Sequence, residues 1–393
     1  MIKNKKFDII MLNMSDYGDW SEKGIVNRNY FVLHELLKSK NVGKILAIDF
    51  LPHNFKRAFK KFFTLLAEKT SQNLIEKNFF NNIKKVEDKL YVYSTAESIC
   101  TSCEDKMYAK INKIASNLNF ENIVLWSYIP TFTKYLDNIQ AELKIFDAVD
   151  NWSEHANYKK IKDRLLTNYK YIDENSNIIF TVSKELEKLF KNNKNVHWIP
   201  NGVDSKHFNT QEEGIIPEDI KGVKKPIVGY VGIVQDRFDV DLLEYLLNNN
   251  KDKSFVIVGM VWPDAGIDRL IKYNNLYLLG QKKYQDIPQY LNQFDVVIIP
   301  HKINEFTKSM NPMKLYEYLA SGKPIISTNI AGSEKFEEFI KIADTREDFD
   351  HKLNQALLDD NIENIELRKS IAQENSWTSR VEYMQKIIIN NLK

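Results

Sequence analysis

The chain has 393 residues, enough for two or three domains, and its 43% hydrophobic content can supply a sizeable core. Lys and Arg number 55 against 53 Asp and Glu, a near balance that excludes a general nucleic-acid binder. No run approaches the ~18 apolar residues of a membrane span, and MIKNKKFDIIMLNMSDYGDW lacks a signal-peptide apolar core and cleavage site, so a cytoplasmic location is expected.

Short apolar runs alternate with helical patterns along the first half. FDIIML (7–12), KILAIDF (44–50), KLYVYS (89–94), NIVLWSY (122–128), LKIFDAV (143–149), NIIFTVS (177–183) and VHWIP (196–200) read as strands. Their continuous apolar character suits parallel strands buried on both faces. Helices are expected at 28–39, 104–118, 130–141, 155–173 and 184–192. Cys100 and Cys103 form a single C-x-x-C with no second pair and no nearby histidine pair, so two reduced thiols are expected there.

The polar stretch NTQEEGIIPEDIKGVKKP (209–226) reads as a linker. The alternation then restarts with PIVGYVGIV (226–234), SFVIVGM (254–260), LYLLG (276–280), DVVIIP (295–300) and KPIISTN (323–329). Helices are expected near 239–248, 284–293 and 312–321, and helical segments close the chain through 377–392. This pattern predicts an α/β chain of two doubly wound sheets with a cleft between them. In such sheets ligands sit beyond the carboxyl ends of the strands, which points to the residues after Gly232, Gly259, Gly280 and Pro300, and to Asn311.

NPMKLYEYLASGKPII (311–326) carries the densest signal. Asn311 suits an N-cap, Pro312 the first helical position and Gly322 the left-handed stop. Met313, Leu315, Tyr316, Leu319 and Ala320 fall within an arc of about 160° on a helix. Lys314, Glu317, Tyr318 and Ser321 occupy the other side, so the helix would offer free amides, a positive dipole end and Lys314 to an anion such as phosphate. A capped surface helix with a solvated Lys and Glu is the plain alternative. In GYVGIVQDRFDVDLL, Gly229 and Gly232 permit a close backbone approach, and Arg237 can fork onto a diphosphate or remain a solvated loop residue. Neither G-x-G-x-x-G nor G-x-x-x-x-G-K-[ST] occurs, which counts against NAD enzymes and P-loop phosphoryl transfer.

In serial order, KIFDAVDNWSEH (144–155), NIIFTVSKELEKLF (177–190), IPNGVD (199–204), GYVGIV, FVIVGM, LYLLGQKKYQDIPQYLNQFDVVIIP and NPMKLYEYLASGKPIIST resemble the GT-B glycosyltransferases. The likeness is greatest to family 4 and its relatives in bacterial surface-polysaccharide synthesis. The resemblance implies a GT-B fold, with two doubly wound Rossmann-like domains facing a central cleft. The expected parts are an acceptor domain at 1–205, a linker at 206–225, a donor domain at 226–375 and a closing helix at 376–393 that packs back on the first domain. It implies a hexosyltransferase-type enzyme that moves a sugar from a nucleotide-diphosphate sugar, UDP being the first guess, to a hydroxyl of a glycan or lipid-linked glycan. No cofactor and no metal are implied, and the expected outcome is retention. One rival reading is a non-catalytic homologue that binds a sugar nucleotide or glycan as an assembly subunit, and a second is another GT-B enzyme such as a sugar-nucleotide epimerase.

By the same resemblance Glu317 would hold the ribose, and Gly232, Arg237, Ser309, Met310, Asn311 and Lys314 would surround the diphosphate. The GQKKYQ loop (280–285), with Lys282 and Lys283, would meet the base. Family 4 enzymes commonly carry a second Glu eight residues before the ribose-binding one; Ser309 stands there, and the nearest upstream carboxylate is Glu305. That departure puts the retained configuration in doubt.

On the acceptor side, similar enzymes use the loop after the first strand, which gives Asp16, Asp19, Trp20 and Arg28, with Trp20 a sugar-stacking platform. FDAVDNWSEH supplies Asp147, Asp150 and His155. Asp147 or Asp150, with Arg237, is the catalytic candidate, as a base or as a stabiliser of an oxocarbenium-like sugar. The alternative is that one of these aspartates caps the following helix. NFKRAFKKFFTLLAEK (54–69) sets Lys56, Arg57, Lys60 and Lys61 beside Phe55, Phe59, Phe62, Phe63 and Leu65. That suits an anionic membrane surface, against the alternative of aromatics packed inside and lysines in water.

Overall fold

The computed structural model describes residues 5–67, 73–100, 102–209 and 215–392. The chain divides into two compact units, Met1–Ile199 with Val381–Lys393, and Pro200–Arg380.

The first unit is built on β1 (Phe7–Leu12), β2 (Val42–Ile48), β3 (Leu74–Lys77), β4 (Asn81–Lys85), β5 (Leu90–Thr95), β6 (Val124–Ser127), β7 (Leu143–Ala148), β8 (Ile178–Thr181) and β9 (Val196–Trp198). Among the described residues they form one sheet in the order β3-β4-β5-β2-β1-β6-β7-β8-β9. β1 pairs in parallel with β2 and with β6, whereas β3–β4 and β4–β5 are antiparallel. The central strands are buried throughout, as their unbroken apolar sequence requires. The edge hairpin β3–β4 was not legible, because LIEK and NNIKK carry no apolar run of strand length.

Three expected helices of this unit are shorter than their patterns. The 130–141 segment holds one turn, Tyr135–Asn138; 184–192 holds Lys184–Glu187; and 155–173 begins as 3₁₀ turns before the Lys162–Asn175 helix. Each sits close to turn-forming polar residues, where local hydrogen bonds compete with helix extension. Cys100 and Cys103 are joined to each other just before the Glu104–Asn117 helix, in place of the expected free thiols.

The second unit carries β10 (Ile227–Val231), β11 (Ser254–Val258), β12 (Leu276–Gly280), β13 (Val296–Ile299), β14 (Ile325–Thr328) and β15 (Lys341–Ala343), in the order β12-β11-β10-β13-β14-β15. All of its pairings are parallel. The order reverses between β10 and β13, the switch point at which such a sheet opens a crevice beyond its strand ends. Gly229 lies in β10 because a Cβ there would stand 1.9 Å from the Phe294 ring.

The expected linker at 206–225 is structured over much of its length, with residues 210–214 outside the described residues. Ser205–Phe208 is a short helix, Ile220 is buried, and Asp219 accepts from Lys282 at 2.5 Å and from the Tyr290 hydroxyl at 2.8 Å. The final helix, Trp377–Asn391, starts in the second unit and ends in the first, where Ser39 bonds Gln385 and Asn195 bonds Asn391. Among the described residues no helix is long and apolar enough to cross a membrane.

Candidate functional site

Helix Met313–Ser321 starts one residue later than its sequence suggests. Pro312, extended at φ −65° and ψ 122°, holds the N-cap position, and no side chain caps the helix. Asn311 is used elsewhere. Its side-chain oxygen accepts from the Asn201 backbone amide at 2.7 Å, its carbonyl accepts from Asn201 Nδ2 at 2.5 Å, and its own Nδ2 donates to the Tyr316 hydroxyl at 3.1 Å. The motif at 199–204 thereby gains a structural explanation. Asn201 ties the entry of this unit to the start of the helix, and a Cβ on Gly202 would press on the backbone of Asn375, Ser376 and Trp377 at 3.0–3.1 Å. Asn311 is thus a buried brace, not a cap.

The polar face expected of this helix is also largely covered. Tyr318 is fully buried and its hydroxyl meets both the amide and the carbonyl of Val231, at 2.7 and 3.3 Å. Lys314 is only 8% exposed. The helix is wedged against the end of β10, so side chains assigned to solvent by helical periodicity are taken up by a second contact surface.

Around Lys314 the structure gathers a buried cluster of basic and polar side chains. Its Nζ donates to the Tyr230 hydroxyl at 2.8 Å, lies 4.4 Å from the centre of the Tyr230 ring and stands 3.5 Å from His301 Nε2. Gly232, at φ 136°, leaves room for it, since a Cβ there would come within 3.0 Å of Nζ. Gly259, at φ 153°, abuts the same turn: a Cβ would stand 2.0 Å from the Gly232 carbonyl oxygen. The loop after β10 is held beside β13 by a bridge between Phe238 and His301. Arg237 in that loop is half-buried, and Gln235, with its amide oriented to suit, accepts from Arg237 Nη1 at 3.0 Å and Nε at 3.2 Å.

Among the described residues Lys314 and Arg237 form no ion pair with a carboxylate. Burial, then Arg237, holds the Lys314 ammonium well below its ordinary range, with only Glu317 opposing. Burial, then Lys314 and Arg237, does the same to His301. Glu317 is half-exposed by area, yet its surroundings push its carboxyl up to about 7, against the pull of Lys314. Two cations at an uncapped helix start, beside glycine backbone, are costly without an anion and suited to one.

Other predicted donor residues are placed differently. Ser309 is buried and its hydroxyl donates to the Phe306 carbonyl at 2.7 Å; Met310 is buried beside it. Glu305 does not substitute for a carboxylate at that position, being an exposed residue bonded to Lys308 at 2.8 Å. Lys282 is occupied by Asp219 and lies over the Tyr290 ring, while Lys283 is exposed. His301 and Tyr230 were missed. The strand-end rule pointed to the residue after Pro300, but a lone histidine gave no further sign of its neighbour Lys314.

In the first unit two acceptor candidates and one catalytic candidate are corrected. Trp20 is only 4% exposed, with its ring edges packed on Tyr17 and Tyr30, so no open face remains for a sugar. Arg28 and Asp147 are buried together, Nε reaching both carboxylate oxygens at 3.0 and 3.1 Å, with Trp126 and Tyr128 beside them. Their low-dielectric setting raises the Asp147 pKa despite Arg28. This pair has no surface to offer a substrate.

Asp150 stays half-exposed just past β7 and its carbonyl accepts from Tyr169. Neither aspartate caps the next element; Asn151 does, and His155 caps the one after. Asp19 pairs with Lys23 at 2.6 Å on the surface. Asp16 joins Lys61 at 3.0 Å and Arg57 at 3.5 Å, and its pKa is raised by burial and by Asp49. Among the described residues no group of three or more His, Cys, Asp or Glu side chains could hold a metal ion.

The model of the family described as Glycosyl transferases group 1 matches residues 225–359. Solved structures resemble the chain along its length. Sucrose-phosphate synthase from Thermosynechococcus elongatus matches with TM-score 0.68 at 14% identity, covering 98% of both chains. A trehalose-6-phosphate structure from E. coli bound with UDP-2-fluoro glucose gives 0.64 at 11%, covering 98% and 99%. Anabaena HepE in complex with UDP and glucose gives 0.61 at 13%, covering 98% and 99%. No curated sequence matches the chain. The protein has the GT-B fold, and its residues 225–359 match the Glycosyl transferases group 1 family model.

Proposed function

We propose that the protein is a cytoplasmic hexosyltransferase that moves a sugar from a nucleotide-diphosphate sugar to a hydroxyl of a glycan or lipid-linked glycan. The pathway we infer is bacterial surface-polysaccharide synthesis, on the strength of the motif order alone. The observation that carries the donor reading is Lys314, buried in the first turn of the uncapped Met313–Ser321 helix beside the Gly232 turn, with no carboxylate partner among the described residues and with Arg237 acting on it electrostatically. In this reading the two cations and the Gly232 turn take the diphosphate, and Glu317, one turn along, accepts the ribose hydroxyls. UDP is the first candidate, supported by the UDP named in the HepE complex and in a TarM complex that also holds alpha-GlcNAc-glycerol.

In the reaction, the bond from the anomeric carbon to the diphosphate oxygen breaks as a bond to the acceptor oxygen forms. Lys314 and Arg237 stabilise the departing charge in place of a metal. On a retaining course the hydroxyl proton leaves with the departing diphosphate oxygen and Asp150 stabilises the oxocarbenium-like sugar, whereas on an inverting course Asp150 is the base that takes that proton. We assign retention on the family resemblance, with Ser309 replacing the usual upstream carboxylate.

The second reading, a sugar-nucleotide-binding subunit without turnover, is favoured by that same Ser309, whose hydroxyl is consumed by Phe306. A thermal-shift screen across UDP, GDP, dTDP and their sugars, followed by product analysis, separates the two. Transfer or donor hydrolysis supports the enzyme, nucleotide binding without turnover on any acceptor supports the subunit, and no binding removes both.

A further inference from the structure

The Phe55–Ala67 helix turns most of its aromatic residues outward. Phe55 is 82% exposed, Phe59 54% and Phe63 52%, with Leu66 beyond them at 46%. They form a continuous ridge: Phe55 stacks on Phe59 at 6.0 Å, Phe59 meets Phe63 edge-on at 4.7 Å, and Phe62 links the row to exposed Phe79 and Phe80 at 5.1 and 5.8 Å. Single exposed apolar residues need no explanation, but a contiguous ridge from two elements marks a surface that something covers.

The four cations of this helix divide between its faces, and the helix carries no acid. Lys61 is buried against Asp49 at 2.5 Å and Asp16 at 3.0 Å, and Arg57 reaches Asp16 and lies over the Phe50 ring. Lys56 and Lys60 are exposed among the phenylalanines. The inner pair therefore neutralises the first unit's own carboxylates, and the outer pair remains beside the ridge.

We propose that the outer face, Phe55, Phe59, Phe63, Phe79 and Phe80 with Lys56 and Lys60, docks on an anionic lipid bilayer. Phenylalanines whose ring contacts, among the described residues, are with one another, interleaved with lysine, match the interfacial amphipathic helix. Protein interfaces are depleted in lysine, and a second copy would oppose like charges. The inner face gives docking a consequence. Lys61 and Arg57 hold Asp16, and the Tyr17 amide donates to Asp49 at 2.8 Å, so the loop after β1 is fixed to the docked helix. A lipid-linked acceptor is then met by a loop already oriented to the surface; this last step rests on the transferase reading, whereas docking does not.

The test is co-sedimentation of the full chain, without donor, on vesicles of phosphatidylcholine alone or mixed with phosphatidylglycerol. Binding to the mixed vesicles, weakened by salt, is expected. Lys56→Gln with Lys60→Gln should reduce it about fivefold for each lysine. Phe59→Ser with Phe63→Ser should abolish it, with an unchanged melting temperature. No binding to anionic vesicles, binding unaffected by these changes, or a dimer in light scattering that the phenylalanine changes dissolve, would each overturn the proposal. Nucleotide binding is read separately, so failure here leaves the transferase assignment standing.

Discussion

Lys314 and His301, both buried, bring two basic nitrogens to 3.5 Å, with no carboxylate in ion-pair reach of Lys314 among the described residues. Such an arrangement weakens the fold and is retained where an anion repays it. Replacing Lys314 by Met should therefore raise the melting temperature by a few degrees. It should also lower UDP affinity by about ten- to a hundredfold, the worth of a charge-assisted hydrogen bond. Uridine, which lacks phosphate, should bind equally to both proteins. Calorimetric titration of the two ligands makes the comparison.

Glu317 yields a pH prediction. Its pKa is raised from 4.5 to about 7, so the ionised form that would accept ribose hydroxyls grows as pH passes through neutrality. Uridine affinity should rise between about pH 6 and about pH 8, and Glu317→Gln should flatten that rise. For stability the sign runs the other way. A carboxyl raised on folding stabilises the native state below its unfolded pKa, and that contribution is lost as pH climbs through about 7. Urea midpoints across this range should fall less steeply in Glu317→Gln.

Gly259→Ala forces a methyl to within 2.0 Å of the Gly232 carbonyl at a left-handed φ of 153°. The neighbouring atoms are backbone, so the turn has to shift. A loss of about 1–3 kcal/mol in denaturant unfolding is expected, together with weakened UDP binding through displacement of the Gly232 turn.

Asp147 and Asp150 separate structure from chemistry. Asp147→Ala leaves the Arg28 guanidinium buried without its carboxylate and should cost about 3–5 kcal/mol of stability. Asp150→Asn should leave the melting temperature within about a degree. It should lower kcat by about a hundredfold or more if Asp150 takes the acceptor proton. An Asp150→Asn enzyme with unchanged turnover removes it from the catalytic set.

Two strands coincide with their apolar runs: β1, which is buried throughout, and β12, an edge strand whose residues are half-buried or exposed. Elements defined by topology escaped, such as β15, three residues whose place depends on β14. Strand-end position and charge both point to Gly232, Arg237 and Lys314, and the structure sets Lys314 against the Gly232 turn. Asn311 and Tyr318 were misread because the periodicity of one helix does not reveal which other chain segment will cover its polar side. Trp20 and Arg28 failed for the same reason: stacking and charge were visible, their burial was not.

The most direct measurement is titration of UDP, GDP and dTDP into the wild-type chain and into Lys314→Met. The account predicts that at least one diphosphate binds the wild type and that Lys314→Met weakens this binding at least tenfold. If none binds, or if both proteins bind the same ligand equally, the basic cluster at the start of the Met313–Ser321 helix is not a diphosphate site.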